Sequence, residues 1–375
     1  MRTATITLHS AHNNGSFLQA FALQKSIIGM GVENQIINYV PPAQYSLYQN
    51  IILKEVTPKG IIKGMLNISQ YNKLKERKNR FNRVQECLEV TDKFEDESEF
   101  DKFANKYDCL IAGSDQIWNS ASMPDFTSLY FLPVNKYKVA YAPSFGKSLE
   151  KQFSEKNVTM ISAFDRLSVR EQSAQKELQK RIPSKDINVV LDPTFLLNKE
   201  EYESLVNGAK CKYEGKYIFF YCIKASNDVL KSVKEIGEKL KLPIITIFTG
   251  VNTYKCQVFG QKVDFAAGPE EFLSYIKNAQ YVISNSFHGI VFSIIYNKIF
   301  YRIADDDNGK IKIDERLDSI LNFLNLNQQN LIAGENPILN EEIDYTLVSK
   351  NLNTLIHQSS GWLKESLELA EESRN

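Results

Sequence analysis

The stretch that most constrains this chain runs from Ala279 to Tyr296. It reads as a short apolar strand (Tyr281 to Ile283), a polar corner (Ser284-Asn285-Ser286) and an apolar helix. Asn285 and Ser286 are residue types that start helices, because their side-chain oxygens accept bonds from backbone amides that otherwise lack partners. Beside them stand His288, which titrates near neutrality, and Gly289, where a ligand can approach the backbone closely. A strand that runs through such a corner into an apolar helix belongs to an α/β fold, and the corner itself suits an anion.

The same alternation recurs from the start of the chain. Thr3 to Leu8 is rich in β-branched residues and reads as a strand. A polar loop from His9 to Ser16 follows, then helical spacing from Phe17, then a strand from Val32 to Val40. This is a βαβ unit with its loop at the carboxyl end of the strand, where α/β proteins hold ligands. Asn13, Asn14 and Gly15 are the candidates there; the alternative is a plain turn with Ser16 as the helix cap. A buried strand at Cys109 to Ala112 leads into Gly113, Ser114, Asp115, Gln116, Trp118 and Asn119. Amide, carboxylate and hydroxyl groups beside an aromatic ring suit a sugar, whose hydroxyls need polar partners and whose C–H faces need a ring. The alternative is an Asp-Gln turn with Trp118 in the core. Val139 to Lys147 repeats the pattern with Ser144 and Gly146. Arg170 ends another strand, where it could fork onto a carboxylate or phosphate, or pair with Glu171 or Asp165. Asp192-Pro193 reads as a structural turn at a domain boundary.

At 375 residues the chain exceeds what one core usually supports. The expected architecture is two doubly wound, Rossmann-like α/β domains facing a cleft: residues 1–195, with a helical excursion at about 41–100, and residues 196–340. Residues 341–375 should form a helix packing back across both. Lys plus Arg and Asp plus Glu are each 45, so no global charge favours nucleic acid. Five scattered cysteines without a C-x-x-C pair fit reduced thiols, neither a disulfide framework nor a zinc site. With no signal-peptide pattern and no apolar run of about 20 residues, a cytoplasmic protein is expected. The basic run Lys73, Lys75, Arg77, Lys78, Arg80 and Arg83 reads as a solvated helix face. Its other reading is peripheral contact with anionic headgroups at the inner membrane surface, or with a diphosphate-linked acceptor.

Taken together and in order, the motifs resemble the polysaccharide pyruvyl transferase family over about residues 3–330. The carriers are His12-Asn-Asn-Gly with Leu18-Gln-Ala-Phe-Ala-Leu-Gln, Ala112-Gly-Ser-Asp-Gln-Ile-Trp-Asn and Tyr141-Ala-Pro-Ser-Phe-Gly-Lys. Ser168-Val-Arg-Glu, Leu191-Asp-Pro-Thr, Ser284-Asn-Ser-Phe-His-Gly and Asp314-Glu-Arg-Leu complete the set. The resemblance implies a fold similar to the GT-B glycosyltransferases. It also implies transfer of pyruvate from phosphoenolpyruvate onto two hydroxyls of a sugar in a lipid-linked polysaccharide or capsule precursor, giving a cyclic ketal and phosphate. Phosphoenolpyruvate would be a co-substrate; neither metal nor nicotinamide is required.

By the same resemblance His288 contacts phosphoenolpyruvate and Arg170 occupies a donor-binding position. The donor side would also include Ser286, Gly289 and a basic residue after the His-Gly corner: Arg316 first, then Lys310 and Lys312. His288 is the candidate general acid and Asp115 the candidate base. The acceptor side would be Asn13, Asn14, Gly15, Ser114, Gln116, Trp118, Asn119 and Ser144. Two other readings compete: a nucleotide-sugar glycosyltransferase of GT-B fold, and a non-catalytic saccharide-binding protein. GT-B enzymes usually carry a glutamate in the helix after the second domain's corner, and Gly289 to Tyr296 contains no acid. A carboxylate there would repel a small dianionic donor, so its absence favours phosphoenolpyruvate.

Overall fold

The structure is a computed structural model that describes residues 1–41, 65–93, 97–120, 126–146, 153–206, 212–250, 252–304, 314–335, 339 and 342–374, with the backbone of 306–307 and 310–311. Its first sheet is fully parallel, in the order β2-β1-β3-β4-β5-β6. The strands are β1 (Arg2–Ile6), β2 (Glu33–Ile36), β3 (Cys109–Ala112), β4 (Tyr137–Ala140), β5 (Arg166–Val169) and β6 (Ile187–Val189). β3 is buried at every position, so it is written as an unbroken apolar run. Helix α1 (Asn14–Gly29) crosses from β1 to β2. Its cap is Asn13, three residues before Ser16: the Asn13 side chain accepts from the amides of Gly15 and Ser16 at 2.9 and 3.3 Å.

The second sheet is also parallel, in the order β14-β11-β10-β7-β8-β9. It comprises β7 (Ile218–Tyr221), β8 (Ile244–Ile247), β9 (Lys262–Asp264), β10 (Tyr281–Ser284), β11 (Phe300–Ala304) and β14 (Asn330–Ile332). Between β11 and β14 lies a short antiparallel pair, β12 (Asp306–Asp307) with β13 (Lys310–Ile311). Strand order reverses between β1 and β3 in one sheet and between β7 and β10 in the other, and ligands of such sheets sit beyond the carboxyl ends at that point. These two switch points bring the first loop, the Gly113 turn and the Ser284 corner to one place. Two doubly wound sheets so arranged are the architecture expected from the sequence.

Two helices tie the sheets together. Helix α2 (Tyr71–Gln85) carries the basic run; Arg77 and Arg80 are partly buried, while Lys73, Lys75 and Arg83 are exposed. Arg77 donates to the carbonyl of His12 at 2.6 Å and lies 4.5 Å from the Phe81 ring centroid. Arg80 pairs with Glu271 at 2.8 Å and Arg83 pairs with Glu270, both acids in α4 (Pro269–Asn278) of the second sheet. The solvated face holds for Lys73, Lys75 and Arg83, but acids brought from about 190 residues away in the chain pair with two of its arginines. Helix α7 (Tyr345–Glu372) starts on the second sheet, where the Tyr345 hydroxyl donates to the Lys298 carbonyl at 2.5 Å. It ends on the first, where Trp362 packs 6.2 Å from Tyr141 and Glu365 pairs with Arg166 at 3.1 Å. Among the described residues, no helix is long and apolar enough to cross a membrane.

Trp118 is also corrected. It is wholly buried, with the rings of Phe131, Phe145 and Phe164 at 5.3–5.6 Å, and its Nε1 donates to the Tyr130 carbonyl at 3.0 Å. Surrounded by rings and with its polar atom satisfied, it presents no face to a sugar. Trp118→Ala should lower the unfolding free energy by about 3–5 kcal/mol, seen as a lower denaturant midpoint. An unchanged midpoint would contradict the core assignment.

Candidate functional site

The Ser284 corner is held by its own hydroxyl. Ser284 Oγ donates to the Tyr221 carbonyl at 2.6 Å and accepts from the Ser286 amide at 3.0 Å. Asn285 bridges to the neighbouring loop instead of capping: its Nδ2 donates to the Lys224 carbonyl at 2.6 Å, and its Oδ1 accepts from the Ile223 amide at 3.3 Å. Ser286 occupies the cap position of α5 (Phe287–Ile295) without a side-chain capping bond. The first turn of α5 is thus left without side-chain closure, and its amides and helix dipole favour an anion. Gly289 does not serve close ligand approach, as the sequence suggested. A Cβ there would meet Ser284 Oγ at 2.3 Å and Tyr221 Cδ1 at 3.0 Å, so its missing side chain accommodates the protein's own strand ends.

His288 reaches across to the first half of the chain. Its Nε2 lies 3.7 Å from Asp192 Oδ2, and a Cβ on Gly15 would stand 2.1 Å from its Nδ1. Asp192 is 1% exposed and also faces Arg170, whose Nη2 is 2.5 Å from the same Oδ2. Its other oxygen accepts from the Thr194 amide and hydroxyl at 2.9 and 2.6 Å. Burial alone would raise the Asp192 pKa; the Arg170 charge and then His288 outweigh it and hold the carboxyl below its ordinary range. Sequence reasoning gave Asp192 only a boundary role, because neither partner is near it in the chain.

Two guanidinium groups share one ring. Arg170 lies 4.9 Å and Arg316 5.3 Å from the Phe287 centroid. Arg316, in α6 (Glu315–Phe323), forks onto Asp314 at 2.7 and 2.8 Å. Burial lowers its pKa, and the Asp314 bond more than restores it. Of the three basic candidates after the corner, Arg316 is the one brought here; the Lys310 side chain and all of Lys312 lie outside the described residues. Glu171, the residue before α3 (Gln172–Arg181), is a second group the sequence did not single out for chemistry. It accepts from Ser144 Oγ, and its buried Oε2 has no hydrogen-bond partner. Burial pushes its pKa up against the opposing pull of Arg170, Ser144 and Arg316. Two buried carboxyls beside one arginine are thus driven in opposite directions, a pattern that separates a proton carrier from a fixed charge.

The polar residues of the first half mostly hold one another. Ser114 Oγ donates to the Ala142 carbonyl at 2.8 Å and accepts from Arg170 Nη2 at 2.5 Å. Asp115, with φ at 67°, accepts from Ser16 Oγ at 2.7 Å and from the Gln116 amide at 2.9 Å. Asn119 Nδ2 donates to Gln116 Oε1 at 2.8 Å. Asn14 is buried and bonds the hydroxyl of Tyr221 across the sheets; burial raises that phenol to about 12 despite this bond. Ser114, Ser144 and Asn119 are therefore corrected from acceptor contacts to framework, since buried groups committed to internal bonds have little left for a sugar. Asn13 and Gln116 retain partial exposure. Of the other histidines, His9 is buried with its pKa lowered by that burial, His12 packs 5.1 Å from Phe81, and His357 is exposed. Among the described residues, no three His, Cys, Asp or Glu side chains assemble as a metal-ligand set.

The fold defines a two-sheet α/β protein in which Arg170, Arg316 and His288 meet around the Phe287 corner. A family model for polysaccharide pyruvyl transferase matches residues 13–307, and the chain belongs to that family. No curated protein matches the sequence. Among solved structures, UDP-GlcNAc 2-epimerase of Methanocaldococcus jannaschii is similar at 12% identity, with 95% of this chain and 93% of that one covered and a TM-score of 0.49. UDP-N-acetylglucosamine 2-epimerase of Rickettsia bellii shares 11% identity over 100% and 96%, with a TM-score of 0.49. The ADP-bound heptosyltransferase WaaC of E. coli shares 9% over 96% and 99%, with a TM-score of 0.43.

Two measurements test this geometry. Gly15→Ala should force the His288 imidazole aside, seen as displaced ring resonances of His288 in a folded variant; unshifted resonances would show that the two do not meet. Glu171 has its pKa raised by folding, so its stabilising contribution is complete below its unfolded pKa and is lost as pH rises through the folded one. Wild type should therefore lose stability relative to Glu171→Gln as pH rises above the ordinary carboxyl range. Parallel Tm profiles would remove that role.

Proposed function

We propose that this protein transfers pyruvate from phosphoenolpyruvate to two hydroxyls of one sugar in a polysaccharide precursor, forming a cyclic ketal and releasing phosphate. Support comes from the family, and the single observation that carries the donor assignment is the arrangement at Phe287. Arg170 and Arg316 flank that ring beside His288, at the start of a helix that contains no acid. Phosphoenolpyruvate brings a carboxylate and a phosphate, so it needs two cations and backbone amides in one place.

The chemistry proceeds in two additions. Protonation of the methylene carbon makes a methyl group and leaves oxocarbenium character at the adjacent carbon. The first sugar hydroxyl adds there and loses its proton; the C–O bond to phosphate breaks, and the second hydroxyl closes the ring with loss of its own proton. Overall, one phosphoenolpyruvate and two hydroxyls yield one ketal and one phosphate. His288, whose Nε2 lies 3.7 Å from Asp192, is the proposed residue to hold the donor and deliver the proton. Glu171 is the alternative donor of that proton, because its environment favours the neutral carboxyl. Asp115 remains the proposed base, on the first-half side of the site. Asn13 and Gln116 are the proposed acceptor contacts.

Phosphate release is the test. With phosphoenolpyruvate and a lipid-linked saccharide acceptor, the protein should release phosphate, and the acceptor should gain a pyruvyl ketal. Arg170→Ala and His288→Ala should each lower kcat/KM by about two orders of magnitude or more, and full rates in either would remove that residue. Release of nucleotide from UDP-sugars with no phosphate from phosphoenolpyruvate would instead identify a glycosyltransferase.

A further inference from the structure

A second basic hollow, of about 250 Å³, lies at the outer edge of the second sheet and shares no residue with the His288 corner. Three lysines surround it: Lys262 from edge strand β9, Lys212 from the segment before β7, and Lys73 from α2. Ile245 and Val263 contribute apolar walls. Among the described residues the hollow contains one carboxylate, Asp264, and it is already committed. Its Oδ1 accepts from the Ala266 amide at 3.0 Å and from Lys212 Nζ at 3.2 Å, and its Oδ2 from the Tyr275 hydroxyl at 3.1 Å. Three ammonium groups against one carboxylate leave two positive charges uncompensated.

Those two are Lys73 and Lys262, which rest over rings instead of acids. Lys262 Nζ is 4.8 Å from the Tyr213 centroid and Lys73 Nζ 6.0 Å from that of Phe265. A cation held over a ring keeps its N–H donors free for a further acceptor. On the helix that carries Lys73, Arg80 and Arg83 pair with Glu271 and Glu270, whereas Lys73 faces the hollow. Apolar walls beside ammonium groups that rest over rings match a small body with C–H faces and a charged substituent. The cations are too few, and the chain's net charge too close to zero, for a nucleic-acid strand.

We propose that this hollow binds the anionic group of a saccharide, a phosphate or carboxylate on a sugar-sized body, independently of the donor corner. Because Lys73 comes from α2 and the other two lysines from the second half of the chain, the ligand joins the same two halves as the Arg80–Glu271 pair.

Calorimetric titration with glucose 6-phosphate and with glucuronate distinguishes the two anion sources; glucose and inorganic phosphate serve as controls. Wild type and Arg170→Ala should bind at least one sugar anion equally well, and glucose not at all. The Lys73→Gln/Lys262→Gln protein, altered only at exposed side chains, should bind about tenfold or more weakly. Equal affinity in that double variant overturns the proposal, as does binding lost in Arg170→Ala or absent from wild type. Inorganic phosphate bound as tightly as the sugar anions overturns the saccharide part. None of these outcomes bears on phosphoenolpyruvate turnover, which Arg170→Ala tests separately.

Discussion

The buried carboxylate of Asp192 is the interaction on which the centre of this molecule depends. A carboxylate withdrawn from water is tolerable only when charges and hydrogen bonds replace its hydration. Thr194 supplies the hydrogen bonds, Arg170 the charge from the first sheet, and His288 a titratable ring from the second. Asp192 also stands where the chain passes from one sheet to the other. One anion therefore sets the distance between the two strand-end corners, and Arg170, fixed by it, positions Ser114 below and the Phe287 ring beside it.

What could be read from the sequence was what depends on local pattern. Unbroken apolar runs such as Cys109 to Ala112 announce strands buried on both faces, and their alternation with helical spacing implies parallel sheets. The corner at Ser284 was visible because strand, cap residues and helix follow each other directly. Partners distant in the chain were not visible. Asp192 looked like a turn because Arg170 and His288 reach it only in three dimensions, and Glu171 looked like a helix-start acid until its burial was known. Trp118 and Gly289 failed in the opposite sense: a ring near polar residues and a glycine near a helix start are what ligand sites use, but also what tight packing uses. Only the neighbours decide, and here they are Phe131, Phe145, Phe164, Ser284 and Tyr221.

The basic helix teaches the same lesson about charge. A run of lysines and arginines states how much charge is present but not where its counterions are. Arg80 and Arg83 meet acids on a helix of the other sheet, so the run acts as a fastener between halves, while Lys73 keeps its charge. Neutral overall composition is compatible with both outcomes, since the balance is struck locally.

The C-terminal helix has a consequence for how the chain comes into being. Leu23, Ile27, Ile111, Val139 and Tyr141 form an apolar cluster whose covering residues include Trp362, Leu363, Leu367 and Ala370. Chains are made from the N-terminus, and domains made first usually fold first. Here the strands of the first sheet are made long before residues 362–370, so the part of their face that those residues cover stays open until they emerge, although Leu23 and Ile27 already cover some of it. During that interval the nascent protein exposes an apolar patch of the kind chaperones hold, and the arrival of this helix, not completion of the first sheet, marks the moment of closure.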